Sequence, residues 1–120
     1  MSFEHTETAL PLENEYPKLV RDKIPEIVRQ KGIEPAAQSA EGDQEYLEFI
    51  LKKIVEEAQE LSEAHSDSNI VEEIADVYEI IDALIALKEL SKADILDVQN
   101  EKREKRGAFN DRLIMTKRPI

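Results

Sequence analysis

The fold is decided by residues 47–90, which read LEFILKKIVEEAQELSEAHSDSNIVEEIADVYEIIDALIALKEL. Apolar side chains recur every three or four positions on both sides of the polar turn SDSN at 66–69, and this spacing predicts two amphipathic helices. We expect the first helix over residues 44–65 and the second from the turn to about Leu90. Because the turn is short, the two helices should pack as antiparallel neighbours.

Polar residues mark the expected helix starts. Asn69, followed three residues later by Glu72, resembles a capping box and predicts the N-cap of the second helix. In the same way, Ser91 followed by Asp94 predicts the start of a further helix. Gly107 predicts the end of that helix, since glycine readily adopts the conformation that stops one.

The chain before these helices is less regular. A short helix is expected over residues 24–31, because Pro25 suits a first helical position and Gly32 suits a C-terminal stop. Residues 34–43 contain proline and glycine and are predicted to form a loop. Residues 1–15 are acidic and show no sustained period, which predicts a flexible N-terminal arm.

The composition favours long helices over a sheet sandwich. Of the 120 residues, 41% are hydrophobic and 36% are charged, with only three Gly, five Pro, three Tyr and three Phe. We therefore expect an all-α bundle of about four or five helices, forming a single domain over residues 16–120. The absence of Cys excludes disulfides and thiolate chemistry, and the two scattered residues His5 and His65 argue against a zinc site.

The charge is unevenly placed along the chain. A net charge of -11 argues against a nucleic-acid polymer as partner. No secretory leader and no membrane-spanning stretch is visible, so we expect a soluble cytoplasmic protein with no membrane partner. An acidic middle between basic flanks suits a polyphosphate that is bridged to carboxylates by a metal ion. The basic flanks comprise Lys18, Arg21, Lys23, Arg29 and Lys31 at one end, and Lys102, Arg103, Lys105, Arg106, Arg112, Lys117 and Arg118 at the other.

The first central helix carries the acidic cluster EEAQE at 56–60. Projected at about 100° per residue, Glu57 falls on the shoulder of the apolar face and Glu60 lies one step further round. Glu56 points nearly opposite that face and is expected to be solvated. Glu57 and Glu60 are therefore the stronger candidate ligands.

The second central helix carries the cluster EEIAD at 72–76. Glu73 projects into the apolar stripe, where a charge is costly unless it is compensated, and Asp76 lies one turn further on. If the helices are antiparallel, these two residues should converge with the two from the first helix. The four carboxylates would then repel one another, and we expect a hard divalent cation such as Mg²⁺, with Mn²⁺ as an alternative, to neutralise them. The competing interpretation is dipole complementarity at the helix start together with salt bridges to Lys52 or Lys53. Solvated surface is the expectation for Glu56, Glu63, Glu72 and Glu79.

Four motifs together resemble a known enzyme family. The pattern EExxE at 56–60, twelve further residues, ExxD at 73–76 and then KxxKRGxF at 102–109 is similar to the all-α nucleoside triphosphate pyrophosphohydrolases of the MazG type. The opening KLVRDKIPE at 18–26 resembles a branch often described as phosphoribosyl-ATP pyrophosphohydrolase-like. The resemblance extends over residues 16–109.

The resemblance implies Mg²⁺-dependent hydrolysis of a nucleotide between its α and β phosphates, with water as the nucleophile and a monophosphate and pyrophosphate as products. It also implies a homodimer or homotetramer, which a broad apolar face on the second helix independently favours. The implied metal-binding and catalytic residues are Glu57, Glu60, Glu73 and Asp76, and the implied phosphate-binding residues are Lys102, Lys105 and Arg106.

Several alternatives remain open at this level. Cations near a helix C-terminus also complement the helix dipole and then need no ligand, which is the second interpretation of the run at 102–106. Lys18, Arg21 and Lys23 are equally compatible with phosphate contacts and with simple solubility charges. For the whole protein, the alternatives are the phosphoribosyl-ATP hydrolase of histidine biosynthesis and a non-enzymatic acidic bundle that binds a metal or a partner.

Overall fold

The computed structural model describes residues 16–119, which form four α-helices and no β-strand. The helices are α1 at Ile24–Gln30, α2 at Asp43–Ser62, α3 at Asp67–Leu87 and α4 at Lys92–Arg106. The predicted all-α class is therefore confirmed. The arm predicted at residues 1–15 lies outside the described part of the chain.

The described residues divide into two compact units, one that ends at Lys88 and another that begins at Glu89. In the first unit α2 packs against α3, and the connection at residues 63–66 reverses the chain between them. Ile50 on α2 is fully buried and Ile80 on α3 is 7% exposed, so the apolar contact lies along this helix pair. The second unit contains α4 and the segment that follows it.

The turn between α2 and α3 begins and ends earlier than the sequence predicts. Ser66, not Asn69, is the N-cap of α3, because its Oγ accepts a hydrogen bond from the Asn69 backbone N–H at 3.2 Å. Helix α2 ends at Ser62 instead of residue 65. Because the Ser66 hydroxyl accepts from the Asn69 N–H, the N-cap lies one turn before the expected position. Helix α3 therefore starts sooner, and residues 63–66 form the connection.

The ends of α3 and α4 show how backbone conformation stops a helix. Helix α3 ends at Leu87, short of the predicted Leu90, because Glu89 adopts a positive φ of 54°. The predicted start of α4 is confirmed, since Ser91 Oγ accepts from the Asp94 N–H at 3.2 Å. Gly107 closes α4 with a φ of 83°, as its sequence position predicts.

The outward faces of α2 and α3 keep large apolar side chains in contact with solvent. Val55 on α2 is 66% exposed, and Val71 and Tyr78 on α3 are 66% and 69% exposed. The last two are seven residues apart and therefore share a helix face. Within residues 16–119, no helix is both long and apolar enough to cross a membrane.

Candidate metal centre

Four carboxylates converge between α2 and α3, as the sequence predicts. Glu57 and Glu60 come from the last turns of α2, and Glu73 and Asp76 come from the first turns of α3. Each offers one oxygen, and these oxygens all lie within 4.8 Å of one another. On each helix the two acidic residues are three positions apart and so occupy adjacent turns of one face, and the reversal at residues 63–66 brings the two faces together.

The α2 carboxylates are buried more deeply than a helical projection indicates. Glu57 is 3% exposed and Glu60 is 5% exposed, and within residues 16–119 they are the only polar side chains that are buried to this extent. Glu73 and Asp76 are partly buried. Burying an ionised carboxylate costs free energy unless a cation or several hydrogen-bond donors compensate it. This arrangement therefore requires a physical explanation beyond packing.

The pKa values of two members of the cluster reflect that cost. Burial, together with repulsion from the neighbouring Glu60 carboxylate, raises the pKa of Glu57 to about 7 against the opposing effect of Lys53. Burial also raises the pKa of Glu73 to about 7, with added repulsion from Glu60, Asp76 and Glu57. Desolvation and like charges both favour the neutral acid. Near neutral pH the cluster thus holds protons that an exposed glutamate would release.

Two oxygens of the cluster are buried without a hydrogen bond from any residue in the described range 16–119. They are Glu57 Oε2 and Glu73 Oε2. A buried acceptor without a donor typically costs about 1–3 kcal/mol, and more when it is charged. A third oxygen of this kind, Glu63 Oε1, lies outside the quartet. Glu63 itself is partly buried, so the prediction that it is solvated surface is wrong.

The α2 end of the cluster is bordered by lysines. Lys53 Nζ lies 3.3 Å from Glu57 Oε1 and 3.3 Å from Glu56 Oε1. Lys18 Nζ, from the segment before α1, lies 3.7 Å from Glu56 Oε1. The expectation that Glu56 is solvated is therefore wrong, since its side chain is 22% exposed and ion-paired. Lys53 pairs with Glu56 from the same helix and Lys18 from a distant part of the chain, and a projection of α2 alone does not show the second contact. Glu72 and Glu79 are exposed as predicted.

The α3 end of the cluster is bordered by an arginine. Arg21 Nη2 donates a hydrogen bond to Asp76 Oδ1 at 2.7 Å across 55 positions of sequence. The sequence alone does not decide whether Arg21 contacts phosphate or is a simple solubility charge. Its position within the KLVRDKIPE motif was the only available signal, because spacing along the chain does not reveal a contact of this range.

The basic residues predicted to bind phosphate lie on α4, in the second unit. Lys102, Lys105 and Arg106 are exposed in its last turns. Lys105 Nζ is 3.0 Å from Glu101 Oε1, a surface pair of the i,i+4 type that is found in many helices. Phe109, at the end of the basic motif, is 96% exposed. The phosphate-binding role of these residues stays a prediction.

The donor set fits a hard divalent cation. Mg²⁺ and Mn²⁺ favour carboxylate oxygens, and the residues that converge here offer four such groups. The donors of a zinc or soft-metal site are absent, because the chain has no Cys and its one described histidine, His65, is exposed at the turn. A cation at this position would supply the partner that Glu57 Oε2 and Glu73 Oε2 lack.

Comparison of the chain with protein-family models, with curated proteins and with solved structures finds no match. The resemblance to the MazG-type hydrolases therefore depends on the sequence motifs alone. The class that the fold and the site define is an all-α protein with an acidic cluster capable of binding a metal ion.

Proposed function

We propose that this protein is a Mg²⁺-dependent nucleotide pyrophosphohydrolase. One water is added across the anhydride between the α and β phosphates, and the products are a nucleoside monophosphate and pyrophosphate. The observation that supports this most directly is the convergence of four carboxylates, two of which have a buried oxygen that receives no hydrogen bond from residues 16–119. Carboxylates that hold Mg²⁺ against substrate phosphates are a recurrent solution for phosphoryl transfer.

The residues of the candidate site have different proposed roles. Glu57, Glu60, Glu73 and Asp76 hold the cation, which when bound neutralises phosphate charge and lowers the pKa of water. A carboxylate of the cluster that is not fully engaged in binding the cation can take up the proton that the attacking water releases. Lys102, Lys105 and Arg106 are proposed to contact phosphate oxygens.

The same proposal includes assembly into a homodimer or homotetramer. Val55, Val71 and Tyr78 expose two thirds of their surface on the α2–α3 pair, and Leu51 is 48% exposed. Large apolar side chains that are exposed to this extent on a helix pair are typical of an interface between helices. A second copy is the simplest partner, because a symmetric interface pairs one apolar face with itself.

A pyrophosphate-release assay tests the activity. The chain is incubated with canonical, deoxy and modified nucleoside triphosphates and with phosphoribosyl-ATP, in Mg²⁺ or in a chelator, and the nucleotide products are separated by chromatography. We expect equimolar monophosphate and pyrophosphate that disappear with the chelator. Release of orthophosphate contradicts cleavage at the α–β anhydride. Turnover of phosphoribosyl-ATP alone supports the histidine-pathway alternative.

The matched variants are Glu73→Gln and Glu72→Gln, which change adjacent residues of α3. Glu73 belongs to the cluster, whereas Glu72 is exposed outside it. Loss of a metal ligand should lower kcat/KM by about a hundredfold or more, while Glu72→Gln should stay within about twofold of wild type. Equal activities for the two variants contradict the proposed site. Mg²⁺ binding without turnover of any substrate supports the non-enzymatic alternative.

A further inference from the structure

The segment before α1 places one cation at each end of the acidic cluster. Lys18 reaches Glu56 on α2, and Arg21 reaches Asp76 on α3. The two cations differ in their surroundings, because the Lys18 side chain is 7% exposed while that of Arg21 is 51% exposed. Lys18 is therefore a buried structural partner, whereas Arg21 meets both a cluster carboxylate and solvent.

The contact of Arg21 differs from that of a comparable arginine nearby. Arg29 is 50% exposed and pairs with Glu26 at 3.1 Å and with Glu34 at 3.5 Å. Neither of those partners belongs to the cluster. Arg21, in contrast, neutralises a carboxylate that a divalent cation would also use. Two cations that share one carboxylate repel each other, so binding of one weakens the hold on the other.

The chemistry of the guanidinium group indicates which other partner Arg21 can bind. It carries five N–H donors in a planar fork, a geometry that matches phosphate oxygens in pairs. The bond to Asp76 uses Nη2, and half of the side chain is open to solvent beside the cluster. A phosphate chain held by a cation at this cluster would have anionic oxygens that Arg21 could bind, and charge-assisted Arg–phosphate bonds are among the stronger hydrogen bonds.

We propose that Arg21 is a phosphate-binding residue of this site, and that it competes with the divalent cation for Asp76 until a polyphosphate offers it a better partner. This inference deepens the proposed function and rests on it. The ligand class is a di- or triphosphate chain complexed with a divalent cation. Arg21 would thus favour binding of the complete metal–polyphosphate complex over binding of the metal alone.

Titration calorimetry on the full chain tests the inference with two probes. The first probe is Mn²⁺ alone, and the second is inorganic pyrophosphate in the presence of saturating Mg²⁺. We expect Arg21→Gln to bind Mn²⁺ about three- to tenfold more tightly than wild type, since a competing charge is removed. The same variant should bind pyrophosphate about tenfold more weakly, since a charge-assisted fork is lost. Arg29→Gln is the matched control and should change both affinities by less than about twofold.

Arg21→Lys separates charge from geometry and also serves if Arg21→Gln fails to fold. It keeps the positive charge beside Asp76, so its Mn²⁺ affinity should stay within about twofold of wild type. It lacks the planar fork, so pyrophosphate binding should still weaken by about three- to tenfold. A purely structural role predicts instead that both affinities fall together with the melting temperature.

Each outcome separates this inference from the proposed function. Weaker Mn²⁺ binding by Arg21→Gln means that Arg21 orients Asp76 for the metal, and this overturns the inference. Affinities equal to those of Arg29→Gln mean that the ion pair is only a surface contact, which also overturns it while leaving the metal site intact. A wild-type chain that binds no Mn²⁺ contradicts the proposed function itself, and the inference fails with it.

Discussion

Glu57 on α2 and Glu73 on α3 share a pKa of about 7, although they belong to different helices. The Glu60 carboxylate contributes to both shifts and thus links them electrostatically. Antiparallel packing of α2 and α3 brings these like charges together, so the carboxylates repel one another in the folded chain. Protons relieve that repulsion at low pH, and a divalent cation would relieve it at higher pH.

The raised pKa values predict an unusual dependence of stability on pH. A carboxyl group whose folded pKa is about 7 binds more protons in the folded chain than in the unfolded chain, where the value is 4.5. The contribution of Glu57 and Glu73 to stability is therefore present at low pH and is lost as pH rises from about 4.5 to about 7. Urea unfolding in a chelator should give a higher midpoint at about pH 5.5, which lies inside that interval, than at about pH 8, which lies above it.

The control for this pH dependence is the double variant Glu57→Gln, Glu73→Gln. Its amide side chains do not titrate, so its unfolding midpoint should vary less over the same interval. A wild-type midpoint that rises steadily with pH across this interval contradicts the raised pKa values. Saturating Mg²⁺ should flatten the wild-type curve, because the metal binds the deprotonated carboxylates.

Removing one charge from the cluster should stabilise the metal-free chain. We expect Glu73→Gln to raise the free energy of unfolding near neutral pH by on the order of 1 kcal/mol, because Glu73 is desolvated and surrounded by carboxylates. Glu72→Gln should change it by less than about 0.5 kcal/mol, since Glu72 is exposed. Urea denaturation in a chelator measures both values.

Addition of Mg²⁺ should reverse the order of these two variants. At about a hundred times Kd, a ligand specific for the folded state adds about 2.7 kcal/mol to the free energy of unfolding. Wild type and Glu72→Gln should show this gain, and Glu73→Gln should lose most of it. A gain of equal size in all three proteins places the cation elsewhere on the chain.

The exposed apolar face predicts self-association that a single charge can prevent. Val55→Glu and Tyr78→Glu each place a carboxylate on this face, where their native side chains are 66% and 69% exposed. Both variants should sediment as monomers at concentrations where wild type sediments as a dimer or tetramer. Ile33→Glu is the matched control, because Ile33 is 60% exposed but lies outside α2 and α3. A monomeric wild-type protein contradicts the proposed assembly.

The N-cap of α3 offers a test of the turn itself. Ser66→Ala removes the oxygen that accepts from the Asn69 N–H and should destabilise the chain by about 1 kcal/mol. Asn69→Ala should cost clearly less, since the Asn69 side chain is not the cap. Thermal unfolding followed by circular dichroism measures both. A larger loss for Asn69→Ala supports the capping box that the sequence indicated.

Much of this architecture was predictable because it depends on local patterns. Apolar residues at helical spacing predicted α2 and α3, and the short polar turn predicted their antiparallel packing, which together brought Glu57 and Glu60 close to Glu73 and Asp76. The cap at Ser91 was also predictable, since serine and the amide that it binds are three residues apart. At the start of α3 the pattern predicted Asn69 as the N-cap, and the structure has Ser66 there instead.

Contacts between distant parts of the chain were not predictable from spacing. Arg21 meets Asp76 across 55 positions, and Lys18 covers Glu56 in the same way. A helical projection contains no information about contacts with other elements, and for this reason it predicted that Glu56 is solvated. A third element that covers a helix changes burial without leaving any periodic signal in the sequence.

The amino-acid sequence by itself determined the helices, their order and the pairing of two acidic faces, because each follows from the 3.6-residue period and a short turn. Only the tertiary structure decided how deeply Glu57 and Glu60 are buried and which cations border them. The reason is that burial and ion pairing depend on the position of every surrounding element, whereas helix formation depends mainly on neighbouring residues.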